Sequence, residues 1–313
     1  MRVLVSRRLT PQTEAGLAAY GAEYRASEAP MRLAECRAAL AEYDAVVPTL
    51  GDAFTAEAFT GPIRARLLAN FGVGVNHIDL AAARAAGVEV TNTPGAVTDA
   101  TADIALTLLL MTARRAGEGE RLLRAGRWQG WQPTQLLGQH VSGKTLGVVG
   151  MGRIGRAIAR RAHFGFGMQV RFFNRSPLPD PGLPARQVAT LAEAMAADFV
   201  VLAVPGGPAT RYLVNAAALA AMPRHGHIIN ISRGDVLDEA ALIDALEAGR
   251  IAGAGLDVYE QEPHVPARLL TLENVTLLPH LGTASMQVRD GMGAMVLANL
   301  AAFAAGLPLP NPA

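Results

Sequence analysis

Short apolar runs alternate with longer Ala-rich stretches of mixed polarity along almost the whole chain. Apolar runs of four to six residues bounded by turn residues read as buried parallel strands, and the Ala-rich stretches read as the helices that cover them. The first part contains four such strands, Arg2–Ser6, Ala45–Thr49, Leu67–Asn70 and Val88–Asn92, with helices predicted over Pro11–Tyr20, Met31–Glu42 and Leu80–Ala86. Then "TDATADIALTLLLMTARRAGEGERLLRAG" reads as one long helix, capped by Thr98 or Asp99 and stopped by Gly126. A polar arm with Trp128 and Trp131 follows. From there six strands are predicted: Thr145–Gly150, Gln169–Asn174, Phe199–Ala203, His227–Ile231, Ala252–Leu256 and Val275–Leu278. A last helix, Ser285–Ala305, closes an α/β chain.

At 313 residues there is room for two domains of ordinary size. Half of the residues are apolar and only 18% are charged, which suits sheets covered on both faces. A net charge of +1 with no Lys/Arg block gives nucleic acid nothing to bind. The longest apolar stretch, "IALTLLLMTA", is too short to span a bilayer, and Met1 runs directly into the first strand. A cytoplasmic protein without a membrane partner is expected. Cys36 is the only cysteine, which excludes an internal disulfide and a thiolate metal cluster; it is expected to face a core from its helix. His225 and His227 form an H-x-H pair with no acidic or cysteine partner close by in the sequence, so no metal is expected.

The segment "TLGVVGMGRIGRAIARRA" sets Gly150, Gly152 and Gly155 in a G-x-G-x-x-G pattern between a strand and a helix. Gly150 allows the tight turn, Gly152 lets backbone approach a pyrophosphate, and Gly155 lets the helix pack on the strand. The helix N-terminus then offers N–H donors to the phosphates. Six strands downstream of the arm are the number a full dinucleotide fold needs, so a Rossmann-type doubly wound sheet is predicted. Its second strand ends in Asn174, Arg175 and Ser176, where a carboxylate would hold the ribose hydroxyls of NAD. Asn174 removes the charge that repels a 2′-phosphate, Arg175 adds a guanidinium, and Ser176 adds a hydroxyl. NADP is the expected cofactor, with NADPH preferred over NADH.

Further segments carry a resemblance. "NFGVGVNHID", "INISRGDVLDEAAL" with Arg233, "GAGLDVYEQEP" with Asp257 and Glu262, and "LLPHLGTAS" with His280 follow one another in an order similar to the D-isomer-specific 2-hydroxyacid dehydrogenase family. Within it, the long helix, the Trp arm and the Asn174-Arg175-Ser176 turn most resemble glyoxylate/hydroxypyruvate reductases. The resemblance implies a flavodoxin-like substrate-binding domain from residues 1–97 with 284–313, an NAD(P)-binding Rossmann domain over 98–283, and an active site in the cleft between them. It implies Arg233, Glu262 and His280 as the catalytic set. Reduction of a 2-oxo acid needs a proton donor and a cation for the carboxylate; histidine is the natural acid, a neighbouring carboxylate favours its imidazolium, and arginine grips carboxylates.

The resemblance further implies cofactor contacts from Gly150, Gly152, Arg153, Ile154, Gly155, Asn174, Arg175, Ser176, Val204, Pro205, Thr210, Ile231, Arg233, Asp257 and His280. Asp257 would meet the nicotinamide carboxamide, and Val73, Gly74, Arg233 and His280 would hold the substrate. The other histidines (His77, His140, His163, His225, His227 and His264) match no catalytic position. The helix from Asp99 is apolar over a wide arc, and in the family this helix and arm form a two-fold interface, so a homodimer is expected. Trp131 either lines the partner's substrate pocket or only anchors that interface. The expected activity is NADPH-dependent reduction of glyoxylate or hydroxypyruvate to a D-2-hydroxy acid. Larger 2-oxo acids (2-ketogluconate, phenylpyruvate, hydroxyphenylpyruvate), a non-enzymatic NAD(P)-sensing protein and a methyltransferase remain as alternatives.

Overall fold

Strands whose sequence is apolar without alternation have both faces covered, as parallel sheets between helical layers require. The computed structural model describes residues 1–313 and divides them into two units, Met1–Val97 with Thr283–Ala313, and Thr98–Gly282. The first unit begins with β1 (Val3–Val5), α1 (Pro11–Leu17), β2 (Glu23–Tyr24) and α2 (Leu33–Glu42). It continues with β3 (Ala45–Val47), β4 (Leu67–Ala69), α3 (Leu80–Ala85) and β5 (Glu89–Thr91). The strands are parallel in the flavodoxin-like order β2-β1-β3-β4-β5. Cys36 is fully buried in this unit's core, where burial pushes its thiol up to about 12.

The second unit opens with α4 (Thr98–Ala113) and α5 (Ala116–Arg124), followed by β6 (Thr145–Val149), α6 (Arg153–Phe166), β7 (Gln169–Phe173) and β8 (Ala185–Gln187). Then come α7 (Leu191–Met195), β9 (Phe199–Leu202), α8 (Ala216–Ala220), β10 (His227–Asn230), α9 (Glu239–Glu247), β11 (Gly253–Leu256), α10 (Ala267–Leu270) and β12 (Val275–Leu277). All of its strands run parallel, in the order β12-β11-β10-β9-β6-β7-β8. Counted within the unit this is the doubly wound 3-2-1-4-5-6 order with one more strand beyond the sixth. The last helix, α11 (Met286–Ala304), packs on α1 and β4 of the first unit. No helix is long and apolar enough to cross a membrane.

Three features depart from the sequence reading. β2 and β8 were not predicted; both are edge strands with no fully buried residue, so neither carries an apolar run. The long helix is two helices, because Arg115 adopts a left-handed conformation (φ 52°) between α4 and α5. The polar arm enforces the break: Gly138 sits where a Cβ would lie 2.3 Å from the Ala113 carbonyl oxygen, and the Gln139 N–H donates to that oxygen at 2.7 Å. α5 then ends as expected before Gly126 (φ 66°), whose N–H and that of Arg127 return to Leu123 and Leu122 in a Schellman motif. Finally, the wide apolar arc of α4 is used inside its own unit, against α6, β10 and β11, with Ala102, Ala105, Leu108 and Leu109 fully buried.

Candidate active site

In a doubly wound sheet the loops that leave the carboxyl ends of the strands form the ligand crevice. After β6, Gly150 takes φ 96°, and a Cβ there would lie 2.7 Å from both the Ala203 carbonyl oxygen and Val204 Cγ1. A Cβ on Gly155 would lie 2.0 Å from the Gly150 carbonyl oxygen, so α6 can rest on the turn only with glycine at that position. Gly152 faces open space and caps α6 without a side-chain bond, leaving the first-turn amides, including those of Arg153 and Ile154, without capping acceptors. This cradle fits a dinucleotide pyrophosphate.

The turn after β7 is tied to the same loop. Asn174 Oδ1 accepts the Met151 N–H at 2.7 Å. Gln187 on β8 braces the turn from outside, donating to the Ser176 carbonyl at 3.1 Å and accepting the Leu178 N–H at 2.8 Å. Arg175 and Ser176 are exposed, and the Arg175 guanidinium has no ion-pair or hydrogen-bond partner. After β9, Thr210 Oγ1 donates to the Pro205 carbonyl at 2.7 Å and closes the loop that starts at Val204. Ile231, buried, directly follows β10.

Three neighbouring strands deliver the catalytic candidates. Past β10, the buried Asn230 donates to the Arg233 carbonyl at 2.9 Å and accepts the Ser232 N–H at 3.0 Å, which shapes the turn. Gly234 then presses on the chain after β11: a Cβ there would lie 1.8 Å from the Tyr259 carbonyl carbon and 2.2 Å from the Glu260 nitrogen. Tyr259 donates its N–H to Glu262 Oε1 at 3.0 Å and its hydroxyl to the Leu278 carbonyl at 2.9 Å, next to β12. Two residues on, His280 takes φ 57° and presents Nδ1 to Glu262 Oε2 at 2.9 Å. The buried Asp257 anchors this last loop by accepting the N–H groups of Leu281 at 2.6 Å and Gly282 at 2.8 Å.

The charges have distinct environments. Burial raises the Glu262 carboxyl, but the hydrogen bond and charge of His280, the Tyr259 N–H and the field of Arg233 outweigh it, and its pKa lies below the usual 4.5. With Glu262 ionised, Nδ1 of His280 is the donor, and Nε2 is left for a ligand. Burial raises the Asp257 carboxyl against its two amide donors. Burial also lowers the Arg233 guanidinium, partly offset by Glu262 and Asp235. Arg233 forms no ion pair; Nη1 donates to the Ser232 carbonyl at 2.6 Å and Nε is buried without a partner. A guanidinium in that state can take a carboxylate.

In the first unit, the loop over residues 71–77 turns its carbonyls inward. Asn70 Nδ2 donates to the Gly72 and Gly74 carbonyls at 3.0 and 3.1 Å, and Asn92 Nδ2 donates to the Val73 carbonyl at 2.9 Å. The amides of Val73 and Gly74 have no acceptor within the unit.

Arg233, Asp257, Glu262 and His280 are thus brought together in one unit, with Val73 and Gly74 on the other. Trp131, in the arm, is 83% exposed. The reading of His225 needs correction, because a carboxylate does reach it: Asp198, at the foot of β9, lies 2.8 Å from Nε2. Supporting residues went unread in the sequence: Asn70, Asn92, Asn230, Gln187 and Tyr259. Their one signal is an Asn directly after a buried strand, as at Asn70 and Asn92, or as a strand's last residue, as at Asn230.

Comparison with known proteins identifies the family. Residues 106–282 match the family model described as D-isomer specific 2-hydroxyacid dehydrogenase, NAD binding domain. The chain is 45% identical over 273 residues to a glyoxylate reductase of Thermococcus kodakarensis, covering 85% of this chain and 81% of that protein. It is 39% identical over 255 residues to a glycerate dehydrogenase of Hyphomicrobium methylovorum, covering 80% and 79% of the two. Among solved structures, an NADPH-dependent glyoxylate/hydroxypyruvate reductase of Sinorhizobium meliloti, in complex with NADP and malonate, superposes with a TM-score of 0.88 at 36% identity, over 100% of this chain and 96% of that one.

Gly234→Ala tests the backbone contact beneath the site. The added methyl forces the two turns apart, so the thermal midpoint should drop by roughly 5–10 °C, and the turnover of the surviving folded protein should fall about tenfold or more as Arg233 moves away from His280. Unchanged melting and turnover would show that the contact is slack.

Proposed function

The chain belongs to the D-isomer-specific 2-hydroxyacid dehydrogenase family, and from that premise we propose that it is an NADPH-preferring reductase of small 2-oxo acids, glyoxylate and hydroxypyruvate first, with His280 as the acid. The observation that carries the reading is the 2.9 Å pair between His280 Nδ1 and Glu262, in the same unit as an Arg233 guanidinium that no carboxylate neutralises. The substrate carboxylate is held by Arg233, and the unpaired amides of Val73 and Gly74 are further donors of the kind a carboxylate takes. When bound, the reduced nicotinamide supplies hydride to the carbonyl carbon. His280 Nε2 gives its proton to the carbonyl oxygen as the C=O π bond opens, leaving a hydroxyl and a new C–H bond. Glu262 balances the imidazolium before transfer and keeps the ring oriented after it. Asp257, a carboxylate with lone pairs beyond its two amide bonds, meets the nicotinamide carboxamide.

The NADPH preference rests on Arg175, an exposed and unpaired guanidinium next to the ribose position, and on the absence of a carboxylate at Asn174. A homodimer is supported by the apolar side chains left in water on α5 and the arm: Leu123, Trp128, Trp131 and Leu137 are all more than half exposed, the least of them 52%. The single, buried Cys36 suits a reducing compartment, the cytoplasm.

Steady-state kinetics with glyoxylate, hydroxypyruvate and larger 2-oxo acids test the activity; no NADPH oxidation with any of them would leave a binding protein instead. Arg175→Ala should lower kcat/KM for NADPH by about ten- to hundredfold while changing NADH little, and equal use of the two cofactors by the native enzyme would refute the assignment.

The acid has a signed pH dependence. Reduction consumes the imidazolium, so its rate should fall as pH rises, whereas oxidation of the hydroxy acid needs neutral imidazole and should rise over the same interval. Glu262 is charged throughout that interval, since its pKa lies below 4.5. Glu262→Gln keeps a hydrogen-bonding side chain and removes the charge that balances the imidazolium, so kcat of reduction should fall by about tenfold or more. An unchanged kcat while chemistry limits turnover would dissociate Glu262 from the acid.

For the assembly, mass in solution at micromolar concentration should be that of two chains, and a monomeric mass would exclude the dimer. A still-dimeric Trp131→Ala with an unaltered substrate profile would confine that side chain to the interface.

A further inference from the structure

The order of strands in the nucleotide sheet reverses between β6 and β9, and a dinucleotide lies in the crevice at such a point. One wall of that crevice is the loop over residues 204–214, which runs from β9 toward α8 inside the second unit. The loop starts against the glycine turn, since a Cβ on Gly150 would meet Val204 Cγ1 at 2.7 Å. Its end is stitched to the far side of the Arg233 turn. There the Val214 N–H donates to the Val236 carbonyl at 3.0 Å, and the Asp238 N–H donates to the Val214 carbonyl at 2.9 Å.

Tyr212 stands at the junction, and its backbone is an outlier. It takes φ 50°, and only three other non-glycine residues have a positive φ, His280 among them. Glycine or asparagine adopts that conformation at less cost, so what the position gains from tyrosine is its side chain. The Tyr212 N–H donates to the Asp235 carbonyl at 2.7 Å, as any residue but proline could. Its hydroxyl donates to Glu260 Oε1, as glycine could not. Arg211 covers the ring, with Cζ 4.8 Å from the centroid, and donates to the hydroxyl at 3.2 Å. Glu260 is itself fixed: a Cβ on Gly234 would lie 2.2 Å from its nitrogen, and its N–H donates to Glu239 Oε1 at 3.3 Å. The half-buried tyrosine is therefore moored to a rigid point two residues before Glu262.

We propose that Tyr212 is a positioning residue for the dinucleotide: its hydroxyl, seated on Glu260, holds the loop over residues 204–214 against the catalytic turns and so sets the affinity for the cofactor. The catalytic turns are held by the Gly234 contact, so the loop is the part that Tyr212 keeps in place. The assignment rests on the reading of the chain as a nicotinamide-dependent reductase and deepens it.

Binding separates the two. Dissociation constants of NADPH and NADH are measured by calorimetry without any oxo acid, beside the thermal midpoint of each variant. Tyr212→Phe should weaken both dinucleotides by about three- to tenfold, and Glu260→Leu should do the same. The double variant should bind no more weakly than either single one, because the two groups act through one bond. Glu260→Gln keeps an acceptor for the hydroxyl and should stay within about twofold of the native protein. With glyoxylate, KM for NADPH should rise in Tyr212→Phe while kcat at saturation stays within about twofold. Native affinities in Tyr212→Phe, whatever its melting point, would overturn the assignment. So would a Glu260→Gln as weak as Glu260→Leu, or losses that multiply in the double variant. The comparison of Tyr212→Phe with the native protein decides even where Glu260→Leu fails to fold. A native protein that binds a dinucleotide and reduces no oxo acid would overturn the proposed function alone, and one that binds neither dinucleotide would overturn both.

Discussion

The catalytic candidates depend on a contact between two stretches of main chain. At Gly234 the turn after β10 rests directly on the backbone of Tyr259 and Glu260, closer than any side chain would allow. Adjacent parallel strands lie about 4.8 Å apart, so turns leaving them are already neighbours; the glycine removes the last separation. Arg233 precedes that contact by one residue and Glu262 follows it by two. Tyr259 then passes the constraint to the third strand through its hydroxyl on the Leu278 carbonyl, and so to His280. Backbone contacts of this kind have no rotamers to lose, which is why three side chains from three turns keep a common geometry.

Burial supplies the electrostatics. Asp257 is costly to ionise where it sits, yet its two amide bonds fix the loop on which His280 takes its left-handed conformation. Glu262 is held ionised by His280 and by the field of Arg233 against the same kind of burial. The dinucleotide side works by omission as well, since Gly150 and Gly155 leave no room for a side chain and Gly152 leaves room for a ligand.

The central strands were legible because a run such as Val200-Val201-Leu202 has no polar residue to contradict it, and the glycine loop because each glycine has its own reason. The edge strands β2 and β8 were not, since a strand covered on few sides carries no apolar signature. The break at Arg115 was hidden for another reason: Arg-Arg-Ala suits a helix, and the turn is imposed by Gly138, distant in sequence, docking on the Ala113 carbonyl. Arg233, Glu262 and His280 stood out as an ordered set, whereas Asn230, Gln187 and Tyr259 are ordinary residues whose roles exist only once separate strands meet. Asp198 and His225 make the same point, for the sequence separates what the sheet edge joins.

The turn over residues 174–178 differs from all of these in how lightly it is held. It stands in solvent, and the Gln187 side chain on an edge strand is its brace from outside. Exchanges of exposed side chains there cost little stability, whereas at Gly150 or Gly234 a single methyl collides with backbone. Drift can therefore rewrite the side chains of this turn, at the rim of a sheet that binds a nicotinamide cofactor, while the glycine contacts beneath it stay fixed.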